Sequence, residues 1–135
     1  MARYSAKSKN KLLTCHKTLQ DLFNEVIKVH DCTILEGHRG EARQIALLAL
    51  KKTKVRVSKH NSLPSLAVDV TPYPIPKDWG YNDSKEKAKF YLFAGIVFAT
   101  AHKLNIKNLR WGGDWDRDFE FIDQTFDDLV HWELI

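Results

Sequence analysis

A histidine, His60, is followed nine positions later by an aspartate, Asp69, inside the apolar run Leu66-Ala67-Val68-Asp69-Val70. An ionised carboxylate among apolar strand residues costs several kcal/mol unless a cation or strong donors satisfy it. Asp69 therefore calls for a partner, either a metal ion or a nearby arginine. The carboxy-terminal run Asp127-Asp128-Leu129-Val130-His131-Trp132-Glu133-Leu134 supplies a second histidine. On a strand over residues 130–134, His131 and Glu133 project from one face and Trp132 and Leu134 from the other. His60, Asp69 and His131 would then offer two imidazole nitrogens and one carboxylate oxygen, a set that suits zinc and leaves a fourth position for water. Such an open site is catalytic in character, because zinc lowers the pKa of a bound water to about 7 and polarises a carbonyl.

A hydrolase built this way also needs a general base and a group to hold the developing oxyanion. Asp128 lies three residues before His131, within reach of the activated water without being a ligand. Asp127 is a weaker rival for that role, and Glu133 can orient a ligand or an arginine. Arg39, between Gly37 and Gly40 in a turn, carries a permanent charge and a fork of donors suited to an oxyanion or a substrate carboxylate. His16, His30 and His102 fall on expected helices without a partner at i+4, which makes them ordinary helix-surface residues. His38 stays open, as the neighbour of Arg39.

The elements that must position these residues can be read from periodicity. Apolar residues recur at helical spacing over residues 10–30, with Ser8 as a cap upstream. Cys32-Thr33-Ile34-Leu35 is β-branched and short, so a strand is expected to run into the Gly37–Gly40 turn and to leave Arg39 at its end. Residues 41–51 read as a second helix, with Lys51 and Lys52 in its last turn, followed by a basic loop. Residues 66–70 alternate as a buried strand ending at Pro72. Ser84 caps a core helix to Leu104 whose buried face combines Tyr91, Ala94, Gly95, Phe98 and Ala101. Leu109-Arg110-Trp111 and residues 130–134 complete the strands, separated by an acidic loop with Gly112, Gly113 and Asp114. Helices early and in the middle, with short strands lacking βαβ alternation, indicate an α+β fold: a small antiparallel sheet packed with helices.

At 135 residues and 44% hydrophobic content the chain suits one domain, residues 1–135, with enough aromatic side chains for a core. The nearly apolar run 90–101 is too short to span a bilayer, so no stable membrane insertion is expected. The basic amino terminus lacks the apolar stretch of a secretory signal, which places the chain in a cytoplasm at first. Two cysteines, Cys15 and Cys32, are too few for a disulfide scaffold and are expected as buried thiols. Charge is unevenly spread: residues 1–59 hold 13 Lys+Arg against 5 Asp+Glu, whereas residues 60–135 hold 8 against 12. A basic module for nucleic acid would account for Lys51-Lys52-Thr53-Lys54-Val55-Arg56, but no nucleic-acid-binding motif accompanies that run and the acidic second half would repel phosphates.

Taken in order, Gly37-His38-Arg39, Ser58-Lys59-His60, Ala67-Val68-Asp69, Arg110-Trp111-Gly112-Gly113-Asp114-Trp115 and His131-Trp132-Glu133-Leu134 resemble the zinc D-Ala-D-Ala carboxypeptidases and L-alanyl-D-glutamate endopeptidases. These share the fold of the hedgehog signalling domain and include phage endolysins. The resemblance covers most of the chain and implies zinc ligands His60, Asp69 and His131, a general base at Asp128, and an oxyanion or substrate contact at Arg39. The spacing from His60 to Asp69 is longer than is common in the family, which implies a looser loop. The function implied is that of a monomeric endolysin that waits in the host cytoplasm until lysis and then cuts the peptidoglycan stem peptide. L-Ala–D-Glu is the first choice of bond, and D-Ala–D-Ala carboxypeptidase activity the alternative. A metal-binding domain without turnover is a further possibility on this scaffold, though Asp128 and Arg39 argue for catalysis.

Overall fold

The structure, a computed structural model, describes residues 1–52 and 57–135; residues 53–56 of the basic run lie outside them. In chain order the elements are α1 (Ala6–Leu12), α2 (Lys17–Val29), β1 (Cys32–Glu36), α3 (Glu41–Ala49), a 3-10 turn (Lys59–Asn61), β2 (Ala67–Pro72), α4 (Ser84–Lys103), β3 (Leu109–Trp111) and β4 (His131–Leu134). The strands form one antiparallel sheet in the order β1-β2-β4-β3, so the fold is α+β as the sequence indicates. None of the described helices is long and apolar enough to cross a membrane.

Strand alternation divides the sheet chemically. Ile34, Val68, Val70, Leu109, Trp111, Trp132 and Leu134 join the core with Leu19, Leu22, Phe23 and Val26 of α2 and Phe90, Phe93, Ala94 and Val97 of α4. Trp111 and Trp132, opposite each other across β3 and β4, stack at 5.6 Å. Two such rings each remove on the order of 150–250 Å² from water, which makes this pair a large part of the core's apolar burial. The opposite face carries Asp69, Arg110, His131 and Glu133, and that is where the chemistry lies.

Four expectations about element ends are corrected. The helix expected over 10–30 is two helices, because Thr14 Oγ turns back onto the Lys11 carbonyl at 2.6 Å and Cys15 bridges Ser65 in extended conformation. A side chain that captures a nearby carbonyl competes with the helical ladder, and α2 restarts with the His16 ring accepting from the Thr18 N–H. Ser8 is not a cap: Ser5 caps α1, while buried Ser8 accepts from the Ile34 N–H. The cap of α4 is Asp83 rather than Ser84, with its carboxylate accepting from the Lys85 and Glu86 N–H groups, and its buried face uses Phe93 while Gly95 is exposed. α3 ends at Ala49, and Lys51, at φ 58°, turns the chain away so that Lys51 and Lys52 lie beyond the last turn. Cys15 and Cys32 are free and buried, as expected.

Candidate active site

Asp69 is the centre of the arrangement. The register of β2 against β4 sets it directly opposite His131, and the 3-10 turn delivers His60 from the other side. That turn is closed by a capping box in which Ser58 Oγ accepts from the His60 N–H and Asn61 Oδ1 from the Ser58 N–H. It is tied to the segment after β1: the Arg39 N–H donates to the His60 carbonyl at 2.6 Å and Asn61 Nδ2 to the Arg39 carbonyl at 2.8 Å. His60 Nε2 and His131 Nδ1 each lie 3.2 Å from Asp69 Oδ1, and both rings are buried, at 1% and 7% exposure.

The outer nitrogen of each ring is already committed. His60 Nδ1 is 2.8 Å from the Gly37 carbonyl, and His131 Nε2 is 2.8 Å from Glu133 Oε1. Each of those acceptors requires the facing nitrogen to carry the proton. In the neutral rings the inner nitrogens are therefore lone pairs aimed at a carboxylate oxygen, with the three donor atoms within 4.8 Å of one another. Three such donor atoms converge on a shared cation, a proton on an inner nitrogen or a metal in its place, so the donor set fits a divalent metal with nitrogen and oxygen preference.

The electrostatics agree. Burial opposes charge on Asp69, but hydrogen bonds from His131 and His60 outweigh it and hold the carboxyl well below the usual range. Burial also opposes a charge on His131, yet the hydrogen bonds of Asp69 and Glu133 push it up to about 10. A field strong enough to hold a proton on an imidazole will equally favour a metal cation in its place. Asp128 is pushed up to about 6, first by burial and then by repulsion from Asp69.

His60, Asp69 and His131 open into a cleft of about 740 Å³ that also includes Asp128 and Arg39, so the five residues singled out in the sequence share one cavity. Arg39 is more constrained than expected. Its Nε and Nη2 donate to the two oxygens of Glu36 at 3.0 and 2.8 Å, and Nη1 donates to Gln44 at 2.7 Å. Those bonds use three of its five N–H groups, leaving one on each terminal nitrogen to face the cleft. Asp127 points elsewhere, with Oδ2 3.7 Å from Lys87 Nζ. Glu133 lies against His131, the ligand candidate, with Oε1 2.8 Å from Nε2. His38 binds the Ser62 carbonyl through Nδ1 at 2.9 Å, and His30 binds the Asp31 carbonyl at 2.8 Å. Neither joins the cleft.

Glu36, Gln44, Arg110 and Trp115 were not assigned from sequence. Glu36 reaches the site through a bulge: β1 pairs Ile34 with Val70 but Glu36, not Leu35, with Asp69. Alternation on β1 places Glu36 on the core face, and only the bulge re-aims it. Trp115 closes the cleft opposite, stacked on Phe126 at 6.3 Å and tilted over His131 at 5.5 Å. The loop that carries it holds a second acidic group, Asp114, Asp116 and Asp118. There the Asp114 oxygens accept from the Asp118 and Phe119 N–H groups at 3.3 and 2.9 Å and so shape the turn.

The family model described as phage L-alanyl-D-glutamate peptidase matches residues 1–135. Among solved structures, the chain is similar in fold to the Serratia marcescens L-Ala D-Glu endopeptidase ChiX, with TM-score 0.72 and 24% identity over 98% of this chain and 90% of that one. No curated protein matches it.

Proposed function

This chain belongs to the family of phage L-alanyl-D-glutamate peptidases, and we propose that it cuts the L-Ala–D-Glu bond of the peptidoglycan stem peptide with a zinc ion held by His60, Asp69 and His131. The observation that carries the metal is the convergence of two oriented imidazole lone pairs and one carboxylate in a cleft that also holds Asp128. When bound, zinc would supply Lewis acidity at the scissile carbonyl and lower the pKa of the attacking water.

The protein's own groups do the rest. Asp128, a carboxylate with raised proton affinity, takes one proton from the attacking water and passes it to the departing D-Glu nitrogen. The carbonyl carbon gains an oxygen as its C–N bond breaks, and the water's second proton also ends on the departing nitrogen, leaving an alanine carboxylate and a D-Glu ammonium group. Arg39, held rigid by Glu36 and Gln44, turns its two remaining N–H groups toward the carbonyl oxygen or a substrate carboxylate. Trp115 and Phe126 wall the cleft on the side facing His131.

Residues 1–135 act as one catalytic domain and work as a monomer on the cell wall, in the manner of an endolysin released from the host cytoplasm at lysis. Membership of a peptidase family displaces both the nucleic-acid module and the metal domain without turnover. Purified peptidoglycan digested by zinc-loaded protein, beside a chelated sample, tests the proposal by mass spectrometry of the products. Fragments with a new D-Glu amino terminus, formed only in the metal-loaded sample, are expected. Loss of a terminal D-Ala alone would instead establish the carboxypeptidase, and identical products in both samples would remove the metal.

A further inference from the structure

Arg110 stands directly opposite Glu133 in the register of β3 against β4, on the sheet face that carries His131. Its Nε and Nη2 both donate to Glu133 Oε2, at 3.1 and 2.6 Å, while the other oxygen, Oε1, faces His131 Nε2 at 2.8 Å. The carboxylate is thus divided between a guanidinium and an imidazole. We infer that Arg110 is a positioning residue for the metal ligand His131 and acts on it through Glu133. This rests on the proposed metal centre and goes beyond it by naming what sets the direction of one ligand's lone pair.

Glu133 is buried, at 5% exposure, and with one oxygen on His131 its carboxylate would keep torsional freedom about its last bond. Two charge-assisted bonds from a planar fork remove that freedom and fix the plane in which Oε1 meets the ring. The ring in turn must place its proton on Nε2, which leaves the Nδ1 lone pair aimed at the site. The guanidinium also lies 5.9 Å from the Trp115 ring, which itself tilts over His131 at 5.5 Å. The short charge-assisted bonds are those to Glu133, so it is through that carboxylate that Arg110 reaches the imidazole. Its side chain remains 31% exposed on a strand at the sheet edge, so replacing it leaves the core intact.

The test is zinc affinity of the full chain, by competition with a chromophoric chelator, for wild type, Arg110→Met, Arg110→Lys, Glu133→Gln and the Arg110→Met/Glu133→Gln double variant. Removing a group that orients a ligand typically weakens metal binding by about 10- to 100-fold. Arg110→Met is expected to fall in that range and Arg110→Lys to recover part of the loss. The double variant is expected to bind no more weakly than Glu133→Gln, because the neutral amide already removes the charge-assisted pair through which the arginine acts. Unchanged affinity in Arg110→Met, or losses that multiply in the double variant, would overturn the inference while the metal centre stands. Folded wild type that takes up no zinc would overturn the metal centre, and the inference with it. Should Arg110→Met not fold, Arg110→Lys decides, since wild-type affinity there would also refute the role.

Discussion

A half-buried aspartate in an apolar strand is the residue-scale signal from which the account grows. Of the two partners the sequence offers it, the arginine stands off, with Arg39 Nη2 3.9 Å from Asp69 Oδ2, whereas the two histidines that would share a metal with it meet Oδ1 at 3.2 Å. The shorter distances and the oriented rings favour the cation. His60→Ala or His131→Ala is expected to lose bound zinc and hydrolysis together, as measured by metal analysis of the purified protein beside a turnover assay. Stoichiometric metal in either variant would contradict the ligand set. Asp128→Asn is expected to keep its zinc and lose about 10²- to 10⁴-fold in kcat, the usual contribution of a general base. Full activity there would transfer the role to another carboxylate, and since Asp127 is turned toward Lys87, Glu133 would be the one to examine.

At the scale of elements, the site is a product of register. Spacing along β4 showed that His131 and Glu133 share a face, but which residues stand opposite them depends on strand order, and alternation is silent about that. Arg110 was quoted within a motif and given no role for this reason. The bulge in β1 was equally hidden, since it moves Glu36 to the site against the local pattern. The break between α1 and α2 was hidden too, because it depends on Ser65, far away in sequence. What the sequence did make legible were the features with a local cause: apolar period, turn glycines, and a charge where burial forbids one. Gly112 shows how closely the elements meet, as a Cβ there would lie 2.1 Å from the Asp128 carbonyl oxygen. Gly112 and Asp128 also share a backbone hydrogen bond of 2.8 Å. Gly112→Ala is expected to lower stability by about 1–3 kcal/mol in urea denaturation, the usual cost of overpacking. Because the displaced residue is the proposed base, turnover should fall as well, and a variant with wild-type stability would show that this contact is slack.

For the whole molecule, the charge asymmetry of the sequence does not separate two bodies. Arg39 and Lys59 from the basic stretch meet Asp69, Asp128 and Glu133 from the acidic one inside a single cleft, so opposite signs serve one site. Global stability has its own pH signature at Cys32, whose thiol burial pushes up to about 11 from the usual 9.0. The folded protein holds that proton more tightly than the unfolded chain. The contribution is therefore fully present below pH 9 and is lost as pH rises toward 11, at about 2–3 kcal/mol across the interval. Urea denaturation between pH 8 and 11 should show a shallower alkaline decline in Cys32→Ala than in wild type, and equal slopes would contradict the burial argument. The central claim is that His60, Asp69 and His131 hold one catalytic zinc, and an anomalous difference map at the zinc edge from crystals grown with the metal tests it most directly. The account predicts a peak about 2.0–2.2 Å from His60 Nε2, His131 Nδ1 and an Asp69 carboxylate oxygen. A map with no peak there, or with zinc held only by Asp114, Asp116 and Asp118, would contradict it.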